Sequence, residues 1–147
     1  MADFVPDNFS APLSFVGEGF TLEPLAPGHN ERDYAAWMSS IDHIRATPGF
    51  PDGNWPSTME LEDNLADLER HARHFVERVG FTYTVLDASG DVIGCVYIYP
   101  SDNPAYTADV SSWVRVSHAH LDRPLWRAVS DWLAADWPFE TVNYDAR

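Results

Sequence analysis

The hydrophobic positions along the chain follow two periods in turn, and the changes of period predict the order of its elements. Residues 19–25 alternate apolar and polar side chains and are soon followed by a proline, as in a half-buried first strand. Asn30 is a typical helix-capping residue, and the apolar side chains after it recur at helical spacing, which predicts a first helix. The apolar face of this helix consists of Tyr34, Trp37, Met38 and Ile41.

Residues 47–56 interrupt this periodicity, because they hold three prolines and two glycines among ten residues. No regular element tolerates that composition, so the segment is predicted to be irregular. Two interpretations stay open: a compact surface connection pinned by Phe50 and Trp55, or the wall or lid of a pocket.

The longest helix is predicted to begin at Ser57, which forms a capping-box pattern with Glu60. Apolar side chains then recur every three or four residues up to Gly80, which is expected to end the helix. They are Leu61, Leu65, Leu68, Ala72, Phe75 and Val79. His71 and His74 fall on the polar face, where we expect solvated side chains.

Three strands rich in β-branched and aromatic residues follow, the first two joined by a hairpin turn. They span residues 81–86, 92–99 and 108–116. Asp122 is predicted to cap a last helix that ends at Pro138, and residues 140–144 form a short final strand. The order of elements predicts an α+β fold in which helices cover a meander of antiparallel strands.

Length and composition bound the organisation of the chain. Its 147 residues fit one domain, with residues 1–18 as an N-terminal arm and residues 19–147 as the domain. Cys95 lies in an apolar strand and is expected to be a buried, unreactive thiol. No apolar run is long enough to span a membrane, and acidic side chains stand where a signal peptide carries positive charge. We therefore expect a cytoplasmic protein without a membrane partner.

The net charge of the chain limits the classes of partner that it can bind. The formal net charge is −14, and all nine basic residues are arginines. Nucleic-acid binding depends on clustered cations that release counterions, so this charge argues against a nucleic-acid partner.

Two strand sequences resemble those of a known family. Residues 91–99 read DVIGCVYIY and residues 108–114 read ADVSSWV, and the helix at residues 125–135 follows them. Over about residues 19–144 the chain resembles the GNAT superfamily of acetyl-CoA-dependent N-acetyltransferases, and most closely its ribosomal-protein branch. The resemblance implies a mostly antiparallel sheet flanked by helices and transfer of acetyl from acetyl-CoA to a primary amine. That amine belongs to a small molecule or to a protein N-terminus.

The chain departs from the family pattern in two places. Residues 117–124 contain no glycine where the family has a glycine-rich phosphate loop, and Asp122 puts a carboxylate at the helix end that should bind an anion. The C-terminal helix and strand pair of the family also have no counterpart here, so we expect a homodimer to complete the fold. The departures support an alternative: a GNAT-like binding or structural protein that has lost coenzyme A binding.

The resemblance also implies roles for individual residues. Asp109 lies where the related branch carries a glutamate and is the candidate base, and Tyr97, Tyr99 and Trp113 are candidates to bind the acceptor. The cofactor candidates are the strand amides of Val114 and Val116 and the side chains of Arg123 and Arg127. No metal is expected, because the two histidine pairs lack further ligands at suitable spacing. They are His71 with His74 and His118 with His120.

Overall fold

A single six-stranded sheet organises the fold of the computed structural model, which describes residues 3–50 and 55–147. The strands are β1 (Phe15–Val16), β2 (Thr21–Pro24), β3 (Phe81–Leu86), β4 (Val92–Pro100), β5 (Ala108–Val114) and β6 (Val142–Tyr144). The helices are α1 (Asn30–Met38), α2 (Ile41–Arg45), α3 (Leu61–Glu77) and α4 (Asp122–Asp136). Short 3₁₀ helices at Pro27–His29 and Val116–Leu121 precede α1 and α4.

The strands lie in the sheet in chain order, and each pair from β1 to β5 is antiparallel. The last pair differs, because α4 crosses over and brings β6 parallel to β5. These two strands pair only from Ala108 opposite Val142 to Val110 opposite Tyr144, although β5 continues to Val114. We call the space between β5 beyond Val110 and the chain beyond Tyr144 the strand gap.

The alternation of side chains along the strands gives each face of the sheet its own core. Helices α1, α2 and α3 cover one face, where Trp37, Ile44 and Leu68 pack with Cys95 and Trp113 of the sheet. Helix α4 covers the other face with Leu125, Val129 and Leu133. The alternation also sends Ser111 and Ser112, neighbours on β5, to opposite faces.

The N-terminal arm is part of the folded unit. It supplies β1 to the edge of the sheet, and Val5 is buried in the core under α4. Arg78 fixes the arm, because its guanidinium donates to the carbonyl oxygens of Pro6 and Phe9, each at 2.6 Å.

Several boundaries differ from the predicted ones. Helix α3 begins at Leu61 with Glu60 as its N-cap and no side-chain cap bond, so the predicted capping box at Ser57 is wrong. The helix ends at Glu77 because Arg78 adopts the left-handed conformation, with φ of 64°. Asp122 is the first residue of α4 rather than its cap.

Cys95 is fully buried, which confirms the prediction of a buried thiol, and burial raises the pKa of that thiol. Among residues 3–50 and 55–147, no helix has the length and apolar character that crossing a membrane requires.

Candidate functional site

A cavity of about 400 Å³ opens between α1, α3 and the middle of the sheet. We call it the acidic pocket, because the carboxylates of Asp33 and Asp67 both line it. The remaining lining residues are Leu25, Gly49, Phe50, Trp55, Asn64, Leu68, Arg70, His71, Tyr97 and Ser111. Gly49, Phe50 and Trp55 come from the proline-rich segment, whose described residues therefore form a pocket wall. Residues 51–54 of that segment lie outside the described part of the chain.

Asp33 lies at the inner end of a buried hydrogen-bond network. Its side chain accepts a hydrogen bond from Asn64 Nδ2 at 3.1 Å, and the same amide nitrogen donates to Asn30 Oδ1 at 2.8 Å. The indole of Trp37 donates to Asn64 Oδ1 at 3.0 Å, which fixes the orientation of the amide. Asp33 is only 4% exposed, and burial raises the pKa of its carboxyl to about 6. At neutral pH the pocket therefore holds a desolvated carboxylate that is mostly ionised and whose pKa is only slightly below the pH.

A second network joins α3 to the sheet through Tyr99. The Nδ1 atoms of His71 and His74 lie 2.8 Å and 3.0 Å from the hydroxyl oxygen of Tyr99. Thr82 Oγ1 lies 3.1 Å from the same nitrogen of His71. Burial, with smaller contributions from Arg70 and His74, lowers the pKa of His71 to about 4, so its ring is neutral at pH 7. The prediction that both histidines are solvated is therefore wrong for His71, which lines the pocket.

Aromatic rings form the outer wall of the acidic pocket. The ring of Trp55 lies 5.8 Å from that of Phe50 and 6.4 Å from that of Tyr97, between centroids. Trp113 is buried beneath this wall and donates its indole N–H to the hydroxyl of Tyr97 at 3.0 Å. Aromatic faces beside a carboxylate favour a cationic ligand, because the ring quadrupole and the negative charge attract it together.

The strand gap lies on the opposite side of β5 and is filled by Arg147. The guanidinium donates to the Ser112 carbonyl at 2.7 Å and to the Asp122 carboxylate at 2.7 Å. Its side chain is 4% exposed, and the hydroxyl of Tyr144 bonds that of Ser112 beside it. Ser111, which lines the acidic pocket, and Ser112, whose carbonyl faces the gap, are therefore neighbours on β5.

The structure places the predicted acceptor residues close together but in different roles. Tyr97 lines the pocket, Trp113 supports Tyr97 from below, and Tyr99 bonds the two histidines. Asp109 lies directly opposite Tyr99 in the sheet, and its carboxylate accepts a hydrogen bond from Asn143 at 3.0 Å. Its role as a base stays a prediction, since other side chains line the pocket.

The predicted cofactor residues do not form one cluster. The amide of Arg115 donates to the Ile93 carbonyl on β4, so alternation directs the amide of Val114 towards the strand gap. The amide of Val116 donates instead to Ser40 Oγ at 2.8 Å. Arg123 and Arg127 line a separate surface groove with Glu18, Phe20, Pro124, Ala128 and Asp131. The cofactor-binding roles of these residues stay predictions.

Within residues 3–50 and 55–147, no group of three or more His, Cys, Asp or Glu side chains could hold a metal ion.

Sequence reasoning missed Asp33, Asn64 and His71, which provide most of the polar chemistry of the pocket. The sequence held a weak signal for two of them, because Asp33 and Asn64 each interrupt an apolar helical face. Asp33 precedes Trp37 by one helical turn, and Asn64 precedes Leu68 by the same spacing. A polar side chain on a buried face needs a partner, which marks such positions as candidates for a site.

No protein-family model and no curated protein matches the sequence. Solved structures do match the fold. The ribosomal-protein-S5-alanine acetyltransferase of Vibrio fischeri aligns with a TM-score of 0.60 at 16% identity, over 83% of this chain and 67% of that one. The microcin C7 self-immunity acetyltransferase MccE, in complex with acetyl-CoA and AMP, aligns with a TM-score of 0.58 at 13% identity. The alignment covers 80% of this chain and 62% of that one. FdhC, a nucleotide-linked sugar GNAT solved in its apo form, aligns with a TM-score of 0.64 at 11% identity. The alignment covers 91% of this chain and 72% of that one.

These matches define the class of fold. The chain has the GNAT fold, as its strand sequences predicted, with a mostly antiparallel sheet and helices on both faces. Ribosomal-protein acetyltransferases are among the solved structures that share it. At these identities the likeness establishes the fold, and the chemistry has to be argued from the site.

Proposed function

We propose that the protein is an N-acetyltransferase that transfers an acetyl group from acetyl-CoA to a primary amine bound in the acidic pocket. The amine is carried by a small molecule or by a peptide. One observation carries the proposal: the acidic pocket and the strand gap meet at β5, where Ser111 lines the pocket and Ser112 faces the gap. An amine bound in the acidic pocket and a thioester held in the strand gap would approach each other at this part of β5.

The acidic pocket suits an ammonium group. The ionised Asp33 attracts the positive charge, and the low dielectric around it strengthens that attraction. The rings of Phe50, Trp55 and Tyr97 add favourable contact with the cation and exclude water. Because the pKa of Asp33 is raised to about 6, its carboxylate is a better proton acceptor than an exposed aspartate. Asp33 is therefore our candidate to take a proton from the ammonium and leave a neutral, nucleophilic amine.

The strand gap fits an extended chain that carries amides, but only after Arg147 moves. The Ser112 carbonyl and the Val114 amide present the alternating acceptor and donor of an unpaired strand edge. The Arg147 guanidinium now donates a hydrogen bond to this carbonyl. It also binds the carboxylate of Asp122 at the start of α4. Acetyl-CoA would supply the reactive thioester carbonyl, and its arm would take the place of the Arg147 side chain. The alternative, a binding protein without coenzyme A, corresponds to Arg147 remaining in the gap.

The test compares three proteins: wild type, Asp33→Asn and Asp122→Asn. A ligand at 100 times its Kd adds about 2.7 kcal/mol of stability, so millimolar acetyl-CoA should raise the Tm of wild type clearly. Asp122→Asn should bind acetyl-CoA several-fold more tightly, because it removes a negative charge from the anion end of α4. Asp33→Asn should keep the thermal shift and lose release of coenzyme A thiol with a panel of primary amines. An unchanged Tm with acetyl-CoA in both wild type and Asp122→Asn would support the alternative.

A further inference from the structure

Resting on the proposed function, we infer that His71, Tyr99 and His74 form a path that carries a proton from the acidic pocket to the surface of α3. The need for such a path follows from the stoichiometry of the reaction. An ammonium and a thioester give an amide, a thiol and one free proton. The ammonium loses two protons, one of which ends on the sulfur, and the other has to leave the acidic pocket.

The path is defined by two hydrogen bonds to one hydroxyl. Tyr99 has a single proton and lies within hydrogen-bond distance of Nδ1 of both histidines, at 2.8 Å and 3.0 Å. A proton path through this hydroxyl requires it to donate to one ring and accept from the other, with the two rings as opposite tautomers. In the arrangement that exports a proton, Nδ1–H of His71 donates to Tyr99, and Tyr99 donates to Nδ1 of His74.

Each atom is balanced along this path. Asp33 takes the proton from the ammonium, and His71, which lines the same pocket, receives that proton at Nε2. His71 then passes the proton on its Nδ1 to the Tyr99 oxygen. Tyr99 passes its own proton to His74 Nδ1, and His74 releases its Nε2 proton to water. The hydroxyl of Thr82, 3.1 Å from His71 Nδ1, shares with Tyr99 the hydrogen bond from this nitrogen before the transfer and donates one to it afterwards. His71 thus keeps a partner in both tautomers.

The surroundings hold the central tyrosine in place. A Cβ on Gly80 would lie 2.1 Å from a ring carbon of Tyr99, so the glycine makes room for this ring beneath the two histidines. Around the path lie Asp67 and Arg70 on α3 and Asp109, which is opposite Tyr99 on β5. Burial and the charge of Arg70 keep the His71 ring neutral at rest, so it relays a proton by exchanging tautomers rather than by holding a positive charge. His74 is only partly buried and gives the path its exit.

The first experiment measures tautomers without any turnover. Long-range proton–nitrogen NMR spectra at pH 7.5 should show His71 and His74 in opposite tautomers in wild type. Tyr99→Phe should abolish this relation, whereas Tyr106→Phe, which changes a tyrosine on the 101–107 connection, should preserve it. The same tautomer on both rings, or spectra unaffected by Tyr99→Phe, would refute the hydrogen-bond path.

The second experiment measures turnover with acetyl-CoA and a primary amine that wild type accepts. Tyr99→Phe should lower kcat roughly 100-fold with little change in the KM for the amine, as expected for a lost proton-transfer partner. His74→Asn should show a similar loss that added imidazole buffer restores. Unchanged kcat in Tyr99→Phe would show that the proton leaves by another route. If wild type acetylates no amine, the proposed function fails, and the NMR result alone decides whether the path exists.

Discussion

At the scale of single residues, burial shifts the pKa values of Asp33 and His71, which both line the acidic pocket, in opposite directions. The pKa of Asp33 rises to about 6 and that of His71 falls to about 4, because burial disfavours the charged form of each. Above pH 6 the acidic pocket is lined by an ionised Asp33 and a neutral His71. In the proposed reaction the carboxylate binds the ammonium and takes its proton, and the neutral ring relays that proton onward.

The first prediction concerns the stability cost of Asp33. Its native pKa lies above its unfolded value, so the native state binds more protons between about pH 4 and pH 6, and stability falls as the pH rises through this window. Asp33→Asn can still accept the hydrogen bond from Asn64 and carries no charge. It should therefore be more stable than wild type at pH 7.5, by about 1 to 3 kcal/mol.

Urea unfolding at several pH values between 4 and 8 measures this difference. The gain should shrink towards zero near pH 4, where the unfolded aspartate also becomes protonated. His71 contributes with the opposite sign, since its lowered pKa means stability is lost as the pH falls from about 6.5 to about 4, but it is present in both proteins and cancels. Asp102→Asn, on an exposed connection, serves as the control. A variant no more stable than wild type at pH 7.5 would contradict a raised pKa at Asp33.

At the scale of elements, the sheet explains one position of the family-like strand sequence. Gly94 on β4 lies opposite Val114 on β5, and a Cβ there would lie 2.3 Å from the backbone oxygen of Trp113. A backbone atom cannot move aside as a side chain can. A glycine is therefore required at this position of β4, opposite Val114 on β5.

The second prediction follows from this contact. Gly94→Ala should destabilise the protein by roughly 2 kcal/mol or more, because the two strands must separate to accept the methyl group. The matched control is Gly28→Ala, since a Cβ at Gly28 has no atom within 4 Å. Chemical unfolding of both variants gives the comparison. Equal stabilities would mean that β4 and β5 adapt without cost and that the contact does not fix their spacing.

The same scale shows how far the sequence predicts this fold. The central strands and α4 were predicted because their side chains alternate or recur in a local pattern that burial enforces. The end of α3 was not, because its left-handed residue, Arg78, also binds the N-terminal arm about 70 positions earlier in the chain. Asp33 and His71 were missed for a related reason: whether a polar helical residue faces solvent or a pocket depends on which elements pack against it.

At the scale of the whole molecule, the electrostatic field of the protein acts in opposite directions on the two proposed substrates. The protein carries a formal net charge of −14, which attracts an ammonium and repels the phosphates of acetyl-CoA. Arg147 is the cation nearest the strand gap, and its charge is already compensated by Asp122. Binding of the donor therefore depends on local hydrogen bonds that have to overcome the overall field.

The third prediction uses salt to separate these effects. Raising the ionic strength from about 20 mM to about 300 mM shortens the Debye length from about 20 Å to about 6 Å. The KM for the cationic amine should rise several-fold, because screening weakens its attraction to the acidic protein. The KM for acetyl-CoA should fall or stay constant, because screening weakens its repulsion. Steady-state kinetics in sodium chloride, with sucrose solutions of equal viscosity as the control, measures both constants. If both rise together with salt, a local cluster of cations outweighs the net charge at the donor site, and Arg123 and Arg127 become the first residues to replace.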